Sequence, residues 1–255
     1  MSNDRQRYIL EMLEQKGEVQ LQHLKEFFPE VSLMTLRRDL TNLENEGCLI
    51  RTHGGAVSAR KVAAFNGEED AYARRASENI EAKLKIAGKA VPLMERGRSV
   101  YFDAGSTIMC LARQLPDDSF NIVTSGANIA LEILKKQRTS VITLGGFVNR
   151  NTLSVSGPSA VSLLDAINID IAFMSASGFS IDSGLTVSNV HECELKRKVV
   201  NRSKKVVLLL DTGKINRNMT FTYANLEDID IWVAEKTPPA DIMEEAEKCG
   251  VQVMF

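Results

Sequence analysis

The chain has 255 residues, 44% of them hydrophobic and 25% charged, with a formal net charge of −2. That size and apolar content suit one large domain or two of unequal size, and the charge excludes a general polycationic affinity for nucleic acid. Four scattered cysteines without a CxxC pair, and three distant histidines, indicate neither a disulfide framework nor a metal centre.

The opening MSNDRQRYILEML carries charges throughout and has no apolar signal core, and no stretch approaches a membrane span. A cytoplasmic protein with no membrane partner is expected. Residues 4–15 read as an amphipathic helix with Ile9, Met12 and Leu13 on one side, ended by Lys16-Gly17. Residues 19–28 are expected to contain a second short helix, with Leu21, Leu24, Phe27 and Phe28 as its apolar set and Pro29 as its stop.

Residues 31–56, VSLMTLRRDLTNLENEGCLIRTHGGA, have the form of a DNA-reading helix followed by a wing. Leu36, Leu40 and Leu43 make one stripe at spacings of four and three. Met34, Arg37, Arg38, Thr41 and Asn45 project from the other side. Ser32 suits the N-cap, and Asp39 is placed to orient a neighbouring guanidinium. Gly47 suits a left-handed C′ position. Cys48-Leu49-Ile50 then reads as a short strand, and His53-Gly54-Gly55 as a turn. Three helices and a hairpin give the winged helix-turn-helix order, whose third helix enters the major groove.

Arg37 and Arg38 are therefore candidates for phosphate or base-edge contact, and Ser32, Met34, Thr35 and Thr41 share their helix. Arg51 and His53 lie where a wing meets the duplex. The competing reading makes Arg37-Arg38 a solvated face and His53 a turn residue. Eight basic residues face nine acidic ones over residues 1–60, so DNA binding here rests on placement and not on bulk charge.

Residues 58–76 have mixed charge, Gly67 and no clear period, which marks a linker with some helix near Tyr72. A helix is expected over 80–94. From Ser99 strands and helices alternate, the mark of an α/β domain with a largely parallel sheet over 77–255. Strands are expected near 100–102, 121–124, 141–144, 169–174, 205–210, 229–234 and 251–254. Residues 153–156 read as a short antiparallel piece.

Several of these strands end in small or charged residues, where open α/β sheets bind ligands. Gly105-Ser106-Thr107 begins a helix whose free N–H groups suit a phosphate, and Ser125-Gly126 repeats the arrangement one strand later. Asp103 is placed to accept from sugar hydroxyls or to cap its own turn. Lys214 is placed to neutralise a phosphate or to hold Asp103. Glu192 and Lys196, four apart on one helix, read either as a pair at the pocket rim or as a solvent-side ion pair. The GxxxxGK[ST] and GxGxxG patterns are absent, so a polyol or sugar phosphate fits better than ATP or NAD, and no cofactor is expected.

The run Val31, Ser32, Thr35, Leu36, Arg37, Arg38, Asp39, Leu40, Leu43, Glu44, Gly47, Leu49, Arg51, His53, Gly54, Gly55 and Ala56 resembles the signature of the DeoR family of bacterial sugar-metabolism regulators. The resemblance covers nearly the whole chain. It implies a winged helix-turn-helix DNA-binding domain over 1–57, a linker over 58–76 and a sugar-phosphate sensor over 77–255. The implied sensor is similar to the ribose-5-phosphate isomerase and glucosamine-6-phosphate deaminase fold. It further implies a repressor of a carbohydrate operon, acting as a dimer or tetramer on double-stranded operator DNA. Its effector would be a phosphorylated sugar or pathway intermediate, contacted near Asp103, Gly105, Ser106, Thr107, Thr124, Gly178, Glu192, Lys196 and Lys214. The chain departs from the family pattern at Ser125 (commonly asparagine), at Ser175 (often glycine), at Gly213 (usually serine) and in a one-residue-longer turn at Phe28-Pro29-Glu30-Val31. The same fold analogy leaves a sugar-phosphate isomerase or deaminase, with Asp103 or Glu192 as acid or base, as the competing function.

Overall fold

The computed structural model describes residues 2–45, 48–52, 54–58 and 72–255. The chain divides into two compact units, Met1–Arg74 and Arg75–Phe255.

In the first unit, α1 (Ser2–Lys16) leads through β1 (Glu18–Gln20) into α2 (Leu21–Phe27), α3 (Leu33–Asn45), β2 (Leu49–Thr52) and β3 (Gly55–Ser58). The antiparallel strand order is β1-β3-β2. The apolar stripe of α3 is what assembles the unit: Leu36, Leu40 and Leu43 are buried with Ile9, Leu13, Val19, Leu24 and Leu49. Ser32 caps α3, its Oγ accepting from the Thr35 N–H at 3.1 Å. Lys25 Nζ donates to the carbonyls of Pro29 and Val31 at 2.6 and 3.1 Å, which ties down the longer turn between α2 and α3.

The second helix occupies Leu21–Phe27, inside the expected range 19–28, and Val19 ahead of it belongs to β1. Val19 is β-branched, lies opposite Ala56 in β3 and is 3% exposed, so pairing with the wing outweighs the helical period. Gly47, His53 and linker residues 59–71 lie outside the described residues.

The second unit begins with helices Tyr72–Ser77 and Ile80–Ala90 at its boundary. The second of these gives way to a short 3-10 turn, Val91–Leu93, because Pro92 cannot continue it. The strands that follow are β4 (Ser99–Phe102), β5 (Asn121–Thr124), β6 (Ser140–Thr143), β7 (Phe147–Val148), β8 (Val155–Ser156) and β9 (Ile171–Met174). After them come β10 (Gly178–Ser180), β11 (Gly184–Val187), β12 (Val206–Leu209), β13 (Phe221–Ala224), β14 (Ile231–Val233) and β15 (Gln252–Met254).

Seven of these strands make one parallel sheet in the order β15-β14-β12-β9-β4-β5-β6. The chain runs outward from β4 through β5 and β6, then resumes on the other side of β4 at β9. The β4–β9 pair is thus the switch point, and a crevice outside its carboxyl ends is where such sheets bind ligands. A second, antiparallel sheet, β10-β11-β13, was not expected from the sequence. It stands beside the Val190–Arg202 helix and brings Tyr223 toward the switch point.

Candidate functional site

The first unit presents a surface suited to DNA. Leu36 and Leu40 bury the inner side of α3, while Met34, Arg37 and Arg38 are exposed on its outer side. Asp39 is 1% exposed and accepts from Arg5 Nε of α1 at 2.8 Å. The Arg-Arg-Asp run therefore divides its work, with Asp39 pinning α3 to α1 and both arginines left outside. Thr35 Oγ1 lies 2.9 Å from Ser32 Oγ, so these two hydroxyls serve the helix cap. Thr41 Oγ1 donates to the Arg37 carbonyl at 2.9 Å and accepts from Arg51 Nη1 at 2.5 Å. The Arg51 N–H also donates to Glu44 Oε1 at 3.0 Å, which fastens the wing to α3. A cleft of about 340 Å³, lined by Leu21, Arg37, Leu40, Arg51 and Thr52, lies at this junction. His53 lies outside the described residues.

In the second unit the sequence-derived candidates converge on the carboxyl ends of β4, β5, β9 and β12. Asp103, directly after β4, is 2% exposed, and its Oδ2 accepts from the Ser175 N–H at 2.9 Å. The Ser175 hydroxyl lies 2.8 Å from the same oxygen and 3.0 Å from the Ala104 carbonyl. Lys196 completes the clamp. Its ammonium bonds Asp103 Oδ2, donates to the Ser175 carbonyl at 2.9 Å and lies 3.6 Å from Glu192 Oε1.

Glu192 and Lys196 are 5% and 1% exposed, so their helix turns them inward toward Asp103 and they are not a solvent-side ion pair. The helix starts cleanly because Asn189 Oδ1 accepts from the N–H groups of His191 and Glu192. Lys214 donates to the Ala176 carbonyl at 2.7 Å, and Lys196 stands beside Asp103.

Around this cluster stand polar groups that the sequence reading missed. Tyr101 OH donates to Ser125 Oγ at 2.8 Å, and Tyr223 OH donates to the Ser175 carbonyl at 3.1 Å. Burial first, and then the Asp103 carboxylate, pushes both phenols well above the ordinary tyrosine range. Both remain neutral donors at physiological pH. Thr152 Oγ1 and Ser154 Oγ lie 2.7 Å apart, with Ser154 3.4 Å from Glu192 Oε2. The two tyrosines and Thr152 sit in runs that read as strand or loop, and a side chain's direction into a site leaves no mark on such a run.

Gly105 adopts φ +138°, and a Cβ there would come within 3.0 Å of Ser175 Oγ. Glycine thus lets the start of the Ser106–Gln114 helix approach the Asp103–Ser175 clamp. Ser106 and Thr107 are buried in the first turn of that helix. Thr124 Oγ1 accepts from the Gly126 N–H at 3.0 Å, shaping the turn after β5. Gly178 has a packing reason of its own, since a Cβ would sit 2.1 Å from the Arg217 carbonyl.

Three buried side-chain atoms just beyond these strand ends have no hydrogen-bond partner among the described residues: Thr107 Oγ1, Asn128 Oδ1 and Asp211 Oδ2. They follow β4, β5 and β12 respectively, so all three lie along the same edge of the sheet. Buried polar atoms are rarely left unsatisfied, and unpartnered ones gathered at a switch point are what a polar ligand would complete. Among the described residues no group of His, Cys, Asp and Glu is arranged to hold a metal ion, and no helix is long and apolar enough to cross a membrane.

The comparisons with known proteins agree with this division. Residues 5–62 match the DeoR-like helix-turn-helix domain, and residues 78–236 match the DeoR C terminal sensor domain. The HTH-type transcriptional regulator GlpR of Haloferax volcanii is 35% identical over 252 residues, covering 98% of this chain and 96% of that one. The HTH-type transcriptional regulator GolR of Listeria innocua is 33% identical over 98% of this chain and 97% of its own. The Glycerol-3-phosphate regulon repressor of Escherichia coli is 27% identical over 92% of each. Among solved structures, ribose 5-phosphate isomerase A of Methanocaldococcus jannaschii is similar over 54% of this chain and 55% of that one, at 19% identity and a TM-score of 0.40, a likeness of fold alone. The chain belongs to the DeoR family of helix-turn-helix transcriptional regulators.

Proposed function

We propose that this regulator is a repressor of a carbohydrate operon whose hold on operator DNA is set by a phosphorylated sugar or polyol. The proposed DNA-facing residues are Met34, Arg37, Arg38 and His53, together with Ser32, Thr35, Thr41 and Arg51, whose side chains also hold the helix cap and the wing. The effector contacts are Asp103, Gly105, Ser106, Thr107, Thr124, Ser125, Gly178, Glu192, Lys196 and Lys214. The observation that carries the effector reading is the row of unpartnered buried atoms, Thr107 Oγ1, Asn128 Oδ1 and Asp211 Oδ2, at the carboxyl edge of the sheet.

The start of the Ser106–Gln114 helix offers N–H groups and a positive dipole end to the phosphate. Asp103, Glu192, Ser125 and the two phenols offer acceptors and donors to hydroxyl groups. That one relative is a glycerol-3-phosphate regulon repressor favours an effector of this class. The protein acts as a dimer or tetramer in the cytoplasm, because helix-turn-helix heads read paired half-sites. It acts as a regulator rather than an enzyme: its relatives are transcriptional regulators, and Asp103 Oδ2 is held by Ser175 and Lys196.

A thermal-shift screen of glycerol 3-phosphate, hexose phosphates and inorganic phosphate tests this reading. One organic phosphate should raise the melting temperature by several degrees at saturating concentration, change the affinity for the DNA upstream of the gene, and show no turnover. Failure of every compound to bind would refute the effector, and product formation would establish an isomerase or deaminase instead.

A further inference from the structure

On the outer side of α3, most of the polar side chains are already committed inside the first unit. Ser32 and Thr35 form the helix cap, and Thr41 and Arg51 hold each other at the wing. Met34, Arg37 and Arg38 remain, spaced i, i+3, i+4 and so gathered on one face. Arg37 and Arg38 are exposed, and among the described residues neither takes part in an ion pair. Met34 is 73% exposed, the second turn-forming residue of α3, and takes no part in the Leu36–Leu40–Leu43 core.

The N-terminal residues of a recognition helix are the ones that reach base edges. Arginines in that position find guanine acceptors or phosphate oxygens. A thioether side chain has little to offer those groups. It is flexible and apolar, and a base pair shows only one apolar group in the major groove, the C5-methyl of thymine. The geometry points to Met34 as a specificity-determining residue that reads a thymine methyl in each operator half-site, between positions held by Arg37 and Arg38. This inference rests on the DNA-binding reading above and adds the base that α3 selects. Because Met34 lies outside the core of the unit, its loss leaves the fold intact.

The test begins by selecting bound duplexes from a random pool with the full chain. Binding of the selected duplex is then measured by fluorescence anisotropy at one fixed salt concentration, with each thymine replaced in turn by deoxyuridine, which removes only the methyl group. Wild-type protein should lose about fourfold in affinity at one thymine per half-site, the worth of a methyl-sized apolar contact. Met34→Ala should bind the thymine duplex that much more weakly and be indifferent to the replacement, and Met34→Leu should regain most of the sensitivity. Wild-type indifference at every thymine would overturn the assignment, as would sensitivity retained by Met34→Ala or abolished by Leu33→Ala. Recovery of no preferred sequence at all would instead overturn the DNA-binding reading, and this inference with it.

Discussion

Lys196 shows how much depends on single side chains in the sensor unit. Its ammonium lies between Asp103 and Glu192 and 5.3 Å from the centre of the Tyr223 ring, and it is 1% exposed. Lys196→Met would leave two carboxylates facing each other without their cation. Breaking a buried pair in this way costs about 3–5 kcal/mol, and a denaturant titration should show a loss of that order. Thr107→Val should behave differently. It removes a hydroxyl that has no partner among the described residues, so unliganded stability should hold or rise slightly while affinity for the organic phosphate falls about tenfold. Calorimetry on the variant measures both. The phenols of Tyr101 and Tyr223 give an alkaline signature. Their folded-state pKa values lie above the unfolded value, so the unfolded chain loses these protons first. Their contribution is complete below about pH 10 and declines above it, and Tyr101→Phe should flatten that decline. Asp103 and Thr107 were legible in the sequence because they fall in a strand-end motif. Tyr101 was not, because a tyrosine inside VYF reads as one more core residue.

At the level of elements, the α3 stripe and the parallel strands could be read from periodicity, since each buries a continuous apolar face. The β10-β11-β13 sheet could not. Its strands are short, are rich in small and polar residues, and close on one another instead of joining the main sheet. The Arg75–Lys83 stretch carries information of a second kind. Arg75 Nη2 donates to the Asn151 carbonyl at 3.2 Å, next to Thr152, and Asn79 Nδ2 donates to Asp211 Oδ1 at 3.0 Å. The Lys83 ammonium, pushed below the usual lysine range by burial, bonds the carbonyls of Arg75 and Glu78. The first residues beyond the DNA-binding unit are thus fastened to two loops of the proposed effector site. Asn79→Ala should leave DNA affinity and effector affinity near normal while reducing the effect of one on the other, the signature of a lost coupling free energy. Titrating DNA at several fixed effector concentrations checks it, and full coupling in the variant would rule out this route.

For the molecule as a whole, a net charge of −2 means that DNA recognition rests on a few placed cations. Affinity should therefore fall with salt on a modest slope, and Arg38→Ala should weaken binding and reduce that slope by about one while leaving effector binding intact. On the proposed reading, a phosphorylated sugar or polyol at the carboxyl edge of the sensor sheet governs occupancy of the operator. Its most direct test is fluorescence anisotropy of the full chain on the DNA upstream of its own gene, at fixed salt, with and without the organic phosphate found by thermal shift. Tight, sequence-preferring binding is expected alone, with a shift of about tenfold or more on adding the effector that is markedly smaller in Thr107→Val at the same concentration. Equal affinity with and without a compound that demonstrably binds would contradict that reading.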